Sequence, residues 1–289
     1  MFDANGAENI TRLKCPSGCG RMLGSSNESE VKCGGSCLLH FLKTLIASFQ
    51  DFLFLAGRAF RNVVRSPHYY DDVFMQMDII GVGSLPIVIL IGAFSGAIIA
   101  LQMARALATY GASSQVGTIV SLTLVRELGP VLSAVMVAGR NASGIASELG
   151  SMKVTEQIDA MRALGTDPIQ KLVTPRLIAT TLMLPCLTVI ADVIGLIGAY
   201  LIAVPLLRII SASEYWSTSW HALVPDDLAQ GLLKPFVFGM IISLVGCFYG
   251  LRTTGGTQGV GRAVTQAVVS AMVWIFVVTL LIDKVFVGL

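Results

Sequence analysis

The sequence predicts an all-α membrane protein: an interfacial N-terminal helix, five transmembrane helices, and a short amphipathic helix between the second and third spans. Three observations lead there. The 289 residues are 54% hydrophobic and only 13% charged, roughly half the charged fraction of a soluble domain, with a mean hydropathy of +0.74. Five apolar stretches each reach the roughly 20 helical residues that cross a hydrocarbon core of about 30 Å. Lys and Arg gather in alternate connections. A net charge of +2 points to no partner class, and no basic patch interleaved with aromatics suggests nucleic acid.

Residues 1–37 read as a polar, Gly/Ser-rich, partly disordered cytoplasmic extension. They lack the apolar run of a cleavable secretory signal. Cys15, Cys19, Cys33 and Cys37 have a spacing open to a zinc site or to incidental cysteines. From residue 38 to 289 the chain reads as one membrane domain. Residues 38–64 are apolar but interrupted by Lys43, Asp51, Arg58 and Arg61. That pattern suits a helix lying in the membrane interface; a sixth span is the alternative.

Spans are expected near 84–108, 116–140, 176–206, 229–251 and 263–286. Basic residues crowd the segment before the first span, the 140–176 connection and the 252–262 loop. The positive-inside rule places those in the cytoplasm and the C-terminus outside. Trp216 and Trp220 in the outer 207–228 loop fit an aromatic belt. Small residues recur at four-residue spacing: Gly92, Gly96, Ala100 and Ala104; Ala134, Ala138, Ala142 and Ala146; Ala191, Gly195 and Ala199; Ala263, Ala267 and Ala271. Such ridges let membrane helices approach closely, within a bundle or between subunits.

The second span carries Arg126-Glu127 followed by Gly129-Pro130. Counted from residue 116, Arg126 lies about 15 Å in, near the bilayer midplane. An ionisable group there is costly and points to function, or to a buried pair that only fixes packing. Lys234 is a candidate partner for Glu127, and Asp192 for Arg126. Pro130 removes a backbone donor, so the helix is expected to bend or break at Gly129-Pro130. Irregular backbone at that depth is tolerated beside a polar cavity.

Between the second and third spans, Val154, Ile158 and Met161 form an apolar stripe, with Glu156, Gln157, Asp159 and Arg162 on other faces. This amphipathic helix should end near Gly165. Asp167-Pro168 opens a short helix, and Thr174-Pro175 opens the third span. The helix suits a membrane surface or a partner's groove. No phosphate-binding loop occurs: GTQGVGRAV at 256–264 has Arg262 where Lys is needed. His40, His68 and His221 fall outside the spans, which argues against a Ser–His hydrolase or a histidine metal site. Ser143 reads as a packing residue.

The run RELGPVLSAVMVAGRNASGIASELGSMKVTEQIDAMRALGTDPIQKLVTPR, residues 126–176, resembles the signature region of the MlaE/YrbE permease family. Weaker similarity covers about 40–289 and includes Lys234 and the GGTQGVGRAV loop. The cysteine-rich start is not part of the pattern. The resemblance implies the permease subunit of an ABC transporter that moves lipids, typically phospholipids, without an ATPase site or cofactor of its own. It implies a homodimer, a separate ATPase subunit carrying ATP, and an MCE-domain protein on the outer side of a bacterial inner membrane. Arg126, Glu127 and Lys234 become lipid-cavity residues. The helix bearing Glu156, Gln157, Ile158, Asp159, Met161 and Arg162 becomes the cytoplasmic coupling helix for the ATPase. Rival readings are a stand-alone proton-coupled transporter using Glu127 or Asp192, and a membrane scaffold with structural charges.

Overall fold

The computed structural model describes residues 28–64 and 70–287. Within them the chain is helical apart from short turns: α1 (Glu28–Val64), α2 (Tyr70–Thr109), α3 (Ser113–Val154), α4 (Gln157–Ala163), α5 (Ile169–Leu206), α6 (Ala212–Ala222), α7 (Pro225–Leu251) and α8 (Gly256–Val287). Helices α2, α3, α5, α7 and α8 are long and apolar enough to cross a membrane, as expected. They outrun the apolar stretches because the helices continue into the flanking polar residues. Helix α1 does not qualify as a span among the described residues. It begins at Glu28 rather than 38. Cys15 and Cys19, and the side chains of Cys33 and Cys37, lie outside what the structure describes.

The bundle has an α4 end and an α6 end. Helix α5 is central, packed along α2 and against α7. Close approach falls where the small residues predicted it. A Cβ on Gly96 would collide with the Gly195 carbonyl, and one on Gly92 would stand 2.7 Å from the Ala191 oxygen. Gly246 and Gly250 of α7 sit against the Ala142 and Ala146 backbone of α3. Ala134, Ala138, Ala142, Ala146, Ala267 and Ala271 are all fully buried. These ridges therefore join helices within one chain, the van der Waals contact that drives association where lipid is as apolar as Leu.

At the α4 end, α1 docks through an ion pair from Arg252 to Asp51 at 2.6 Å. Phe52 and Phe248 meet edge to face beside it, with ring centres 5.6 Å apart. At the other end, α6 packs on the start of α3. Gly117 makes room for Tyr215, Thr218 and Ser219. Ser211 caps α6 by accepting from the Glu214 N–H. Tyr215 is fully buried, donates to the Leu196 carbonyl at 3.0 Å, and burial pushes its hydroxyl pKa up to about 12.

Two expectations change. The helix does not break at Gly129-Pro130. Residues Leu124–Leu128 form a π turn, and Gly129 and Pro130 continue helically from it. Nor does the third span begin at Pro175: a π turn over Ile169–Val173 runs straight into it. A wider turn absorbs the proline ring and the missing donor locally, where an α-helical turn would have to kink.

Candidate functional site

The π turn determines what Arg126 and Glu127 do. With more residues per turn, consecutive side chains diverge by less than the about 100° of an α-helix, so both can serve one side of α3. Pro130 has no N–H to offer the carbonyl four residues back, that of Arg126. Lys234 of α7 takes its place, donating from Nζ to that oxygen at 2.8 Å. The same Nζ donates to Glu127 Oε1 at 2.7 Å and pairs with Asp283 of α8 at 2.5 Å. Three acceptors match the three donors of an ammonium, which is how Lys234 tolerates complete burial.

Arg126 pairs with Asp227 in the first turn of α7 through both Nε and Nη2. Asp227 also caps its own helix, accepting from the Val224 N–H at 3.2 Å. Gln230 donates to Asp283 at 3.0 Å and completes the network. The expected Glu127–Lys234 partnership is thus present; the expected Arg126–Asp192 pair is not. Asp192 lies on another side of the π turn, its carboxylate against Gly129, where any Cβ would strike Oδ1. That oxygen is buried and has no hydrogen-bond partner.

The cluster is nearer to the end of α7 than to the end of α3. Gly231 of α7 lies against the Val125 carbonyl. From that level α3 continues to Ser113, about 18 Å, whereas α7 continues only to Pro225, about 9 Å, at 1.5 Å per residue. The cluster therefore stands one to two turns below the α7 mouth, on a step where α3 overtops α7. Arg126 and Glu127 remain 47% and 42% exposed there, while Lys234 and Asp227 are 0% and 3% exposed. A half-exposed guanidinium beside a half-exposed carboxylate, both fixed from behind, is a preorganised polar surface facing the step.

At the α4 end, α4 is short and set off by tight turns. Glu156 just before it adopts φ 60°, a left-handed conformation uncommon for a side-chain-bearing residue. Gly165 at φ 80° ends the turn after it. Ile158 is fully buried and anchors the helix, while Glu156, Gln157, Asp159 and Arg162 are exposed and Met161 is half-buried. Asp159 accepts from Lys153 at 2.7 Å and Arg162 at 3.2 Å. The Lys153 hydrogen bond, with the charges of Lys153 and Arg162, outweighs its slight burial and holds its pKa below the usual value. Asp167 accepts from the Ile169 N–H at 3.1 Å, the cap its Pro neighbour predicted.

Sequence reasoning missed Asp227, Asp283 and the Glu148–Arg176 pair. Asp227 reads as an ordinary helix-start residue after Pro225, and Asp283 as a span-end charge; only the fold brings them to Lys234. Arg176 read as a mark of the cytoplasmic side. It is 3% exposed and pairs with Glu148 at 2.7 Å, but its Nε and Nη1 have no partner. Ser143 donates to the Gly139 and Arg140 carbonyls of its own helix, which fits a packing role. Among the described residues no three His, Cys, Asp or Glu side chains gather as a metal site.

A family model described as Permease MlaE matches residues 73–285. A probable ABC transporter permease protein of Rickettsia felis is 43% identical over 241 residues, which is 83% of this chain and 92% of the relative. Protein TRIGALACTOSYLDIACYLGLYCEROL 1, chloroplastic, of Arabidopsis thaliana is 35% identical over 232 residues, 80% of this chain and 66% of the relative. The intermembrane phospholipid transport system permease protein MlaE of Haemophilus influenzae is 31% identical over 242 residues, 81% of this chain and 92% of the relative. Five membrane-crossing helices and these matches agree: the chain is a multi-pass membrane protein of the ABC transporter permease type and belongs to the MlaE permease family.

Proposed function

We propose that this chain is the permease subunit of a lipid ABC transporter, moving phospholipid between a bacterial inner membrane and an MCE-domain partner. A separate ATPase subunit supplies the energy, and two copies of the chain form the transport unit. The observation that carries this reading is the paired exposure of Arg126 and Glu127 on the step beside α7, held by Lys234, Asp227 and Asp283. The lipid class is supported by the printed name of the Haemophilus influenzae relative, a phospholipid transport permease.

In this reading α4 faces the cytoplasm and the step faces outward. Positive-inside charge supports that orientation. Helix α4, anchored by Ile158 and presenting Glu156, Gln157, Asp159 and Arg162, is the ATPase contact. Movement there reaches the membrane helices through α3, whose glycine and alanine contacts with α7 transmit displacement rather than absorb it. The head group meets Arg126 and Glu127, and the acyl chains lie along the apolar helix faces.

Reconstitution with the co-purifying ATPase tests it. ATP-dependent lipid transfer supports the reading; lipid movement driven by a pH gradient with no ATPase present contradicts it. Purification from the native membrane, with mass spectrometry of bound proteins and lipids, identifies the partners. Charge reversal at Glu156 and Asp159 is expected to weaken ATPase co-purification; unchanged association would remove α4 from the interface.

A further inference from the structure

We infer that the step selects lipids with a zwitterionic head group bearing a primary ammonium, the phosphate on Arg126 and the ammonium on Glu127. This rests on the lipid reading above and adds the head-group chemistry.

The inference starts from charge. The cluster contains two cations, Arg126 and Lys234, and three carboxylates, Glu127, Asp227 and Asp283. Fully ionised, they sum to −1. An anionic head group would bring like charge to a site that already carries an excess carboxylate, in surroundings less polar than water. A zwitterion adds no net charge and places each of its own charges beside an opposite one.

Burial then decides which groups can reach a ligand. Lys234 is 0% exposed and its donors are taken by Glu127, Asp283 and the Arg126 carbonyl, so it cannot serve as the phosphate ligand. Asp227 is 3% exposed and committed to Arg126. What remains accessible is the Arg126 guanidinium and the carboxylates of Glu127, at 42%, and Asp283, at 27% exposed. The guanidinium uses Nε and Nη2 on Asp227, and its remaining donors suit a phosphate. Glu127 gives one oxygen to Lys234 and has the other for a donor. A primary ammonium offers N–H groups to it; a trimethylammonium offers none. The π turn brings residues 126 and 127 toward one side of α3, so one head group carrying both charges can meet both side chains.

The test is retention of lipids by the purified full chain in detergent, read by native mass spectrometry. The probes are dioleoyl phosphatidylethanolamine, phosphatidylcholine and phosphatidylglycerol in equimolar mixture, with dioleoylglycerol as the uncharged control. Wild type is expected to retain the ethanolamine lipid over the glycerol lipid by about five-fold, the upper end for a half-exposed ion pair, with choline between. Glu127→Gln is expected to bring that ratio close to one, and Arg126→Gln to lower all phospholipids toward the control. Equal or greater retention of phosphatidylglycerol by wild type overturns the inference, as does a ratio unchanged in Glu127→Gln. If Glu127→Gln does not fold, the wild-type series decides. Equal retention of the three phospholipids above the control overturns selectivity but leaves the lipid reading standing. Retention of none overturns both.

Discussion

Two buried cations, Lys234 and Arg176, are treated differently by the fold. Lys234 meets three acceptors from α3 and α8, and no donor is left over. Arg176 meets one carboxylate, Glu148, which is itself 56% exposed, and two of its nitrogens have no partner. A buried charge that is fully paired becomes costly to remove, because its partners are then stranded. One that is half satisfied has little to lose, and an apolar replacement of similar size is often tolerated. The comparison teaches that burial alone does not measure a charge's contribution; the state of its partners after removal does.

The largest effect that would sharpen this contrast comes from Lys234→Met. It removes the donor shared by the buried Arg126 carbonyl, Glu127 and Asp283, and because Glu127 keeps access to water the expected loss is about 3 kcal/mol, the low end for breaking a buried pair, in detergent unfolding. Neutralising the partners as well, with Glu127→Gln and Asp283→Asn, should recover much of it. A loss near zero for the single variant would break the comparison.

Next comes Gly129→Ala. Its Cβ must displace the Asp192 carboxylate, and overpacking of this kind costs about 1–3 kcal/mol. Asp192→Ala in the same chain should restore most of that stability. Failure of this rescue would mean that the helix backbone, not the carboxylate, is the obstacle.

Arg176→Met should be smaller, within about 1 kcal/mol of wild type and of either sign, since Glu148 is left facing water. A loss as large as that of Lys234→Met would show Arg176 to be paired in a way its surroundings do not suggest. The smallest effect concerns Asp159. Its pKa is lowered in the folded chain, so its contribution is present above the ordinary carboxylate pKa and is lost as pH falls through the lowered one. Acid should therefore loosen the Lys153–Asp159 contact. The acid-induced fall in melting temperature should be slightly shallower in Asp159→Asn.

The five spans were legible because hydropathy over about 20 residues is a strong signal. The small-residue ridges marked the closely packed faces of α2, α3, α5 and α8 but not which helices meet, since backbone approach requires small side chains wherever it occurs. Glu127 and Lys234 could be paired from sequence because each needed a partner in an apolar run. Asp227 and Asp283 could not, because a charge near a helix end needs no explanation and so carries no signal. The behaviour at Pro130 was misread for a related reason. Proline predicts a lost hydrogen bond, but a π turn and a distant lysine can supply the remedy, and neither is encoded locally. Asp192 was a candidate for Arg126 because both are charges within apolar runs; the structure instead sets the Asp192 carboxylate against Gly129.

The most direct test of the account is lipid transfer by reconstituted transporter carrying Arg126→Ala with Glu127→Ala, compared with wild type at matched thermal stability and matched ATPase co-purification. The account predicts transfer at the level seen without ATP, with nucleotide hydrolysis still present. Transfer at the wild-type rate would contradict it, and would leave the charged cluster as a structural fastening between α3, α7 and α8.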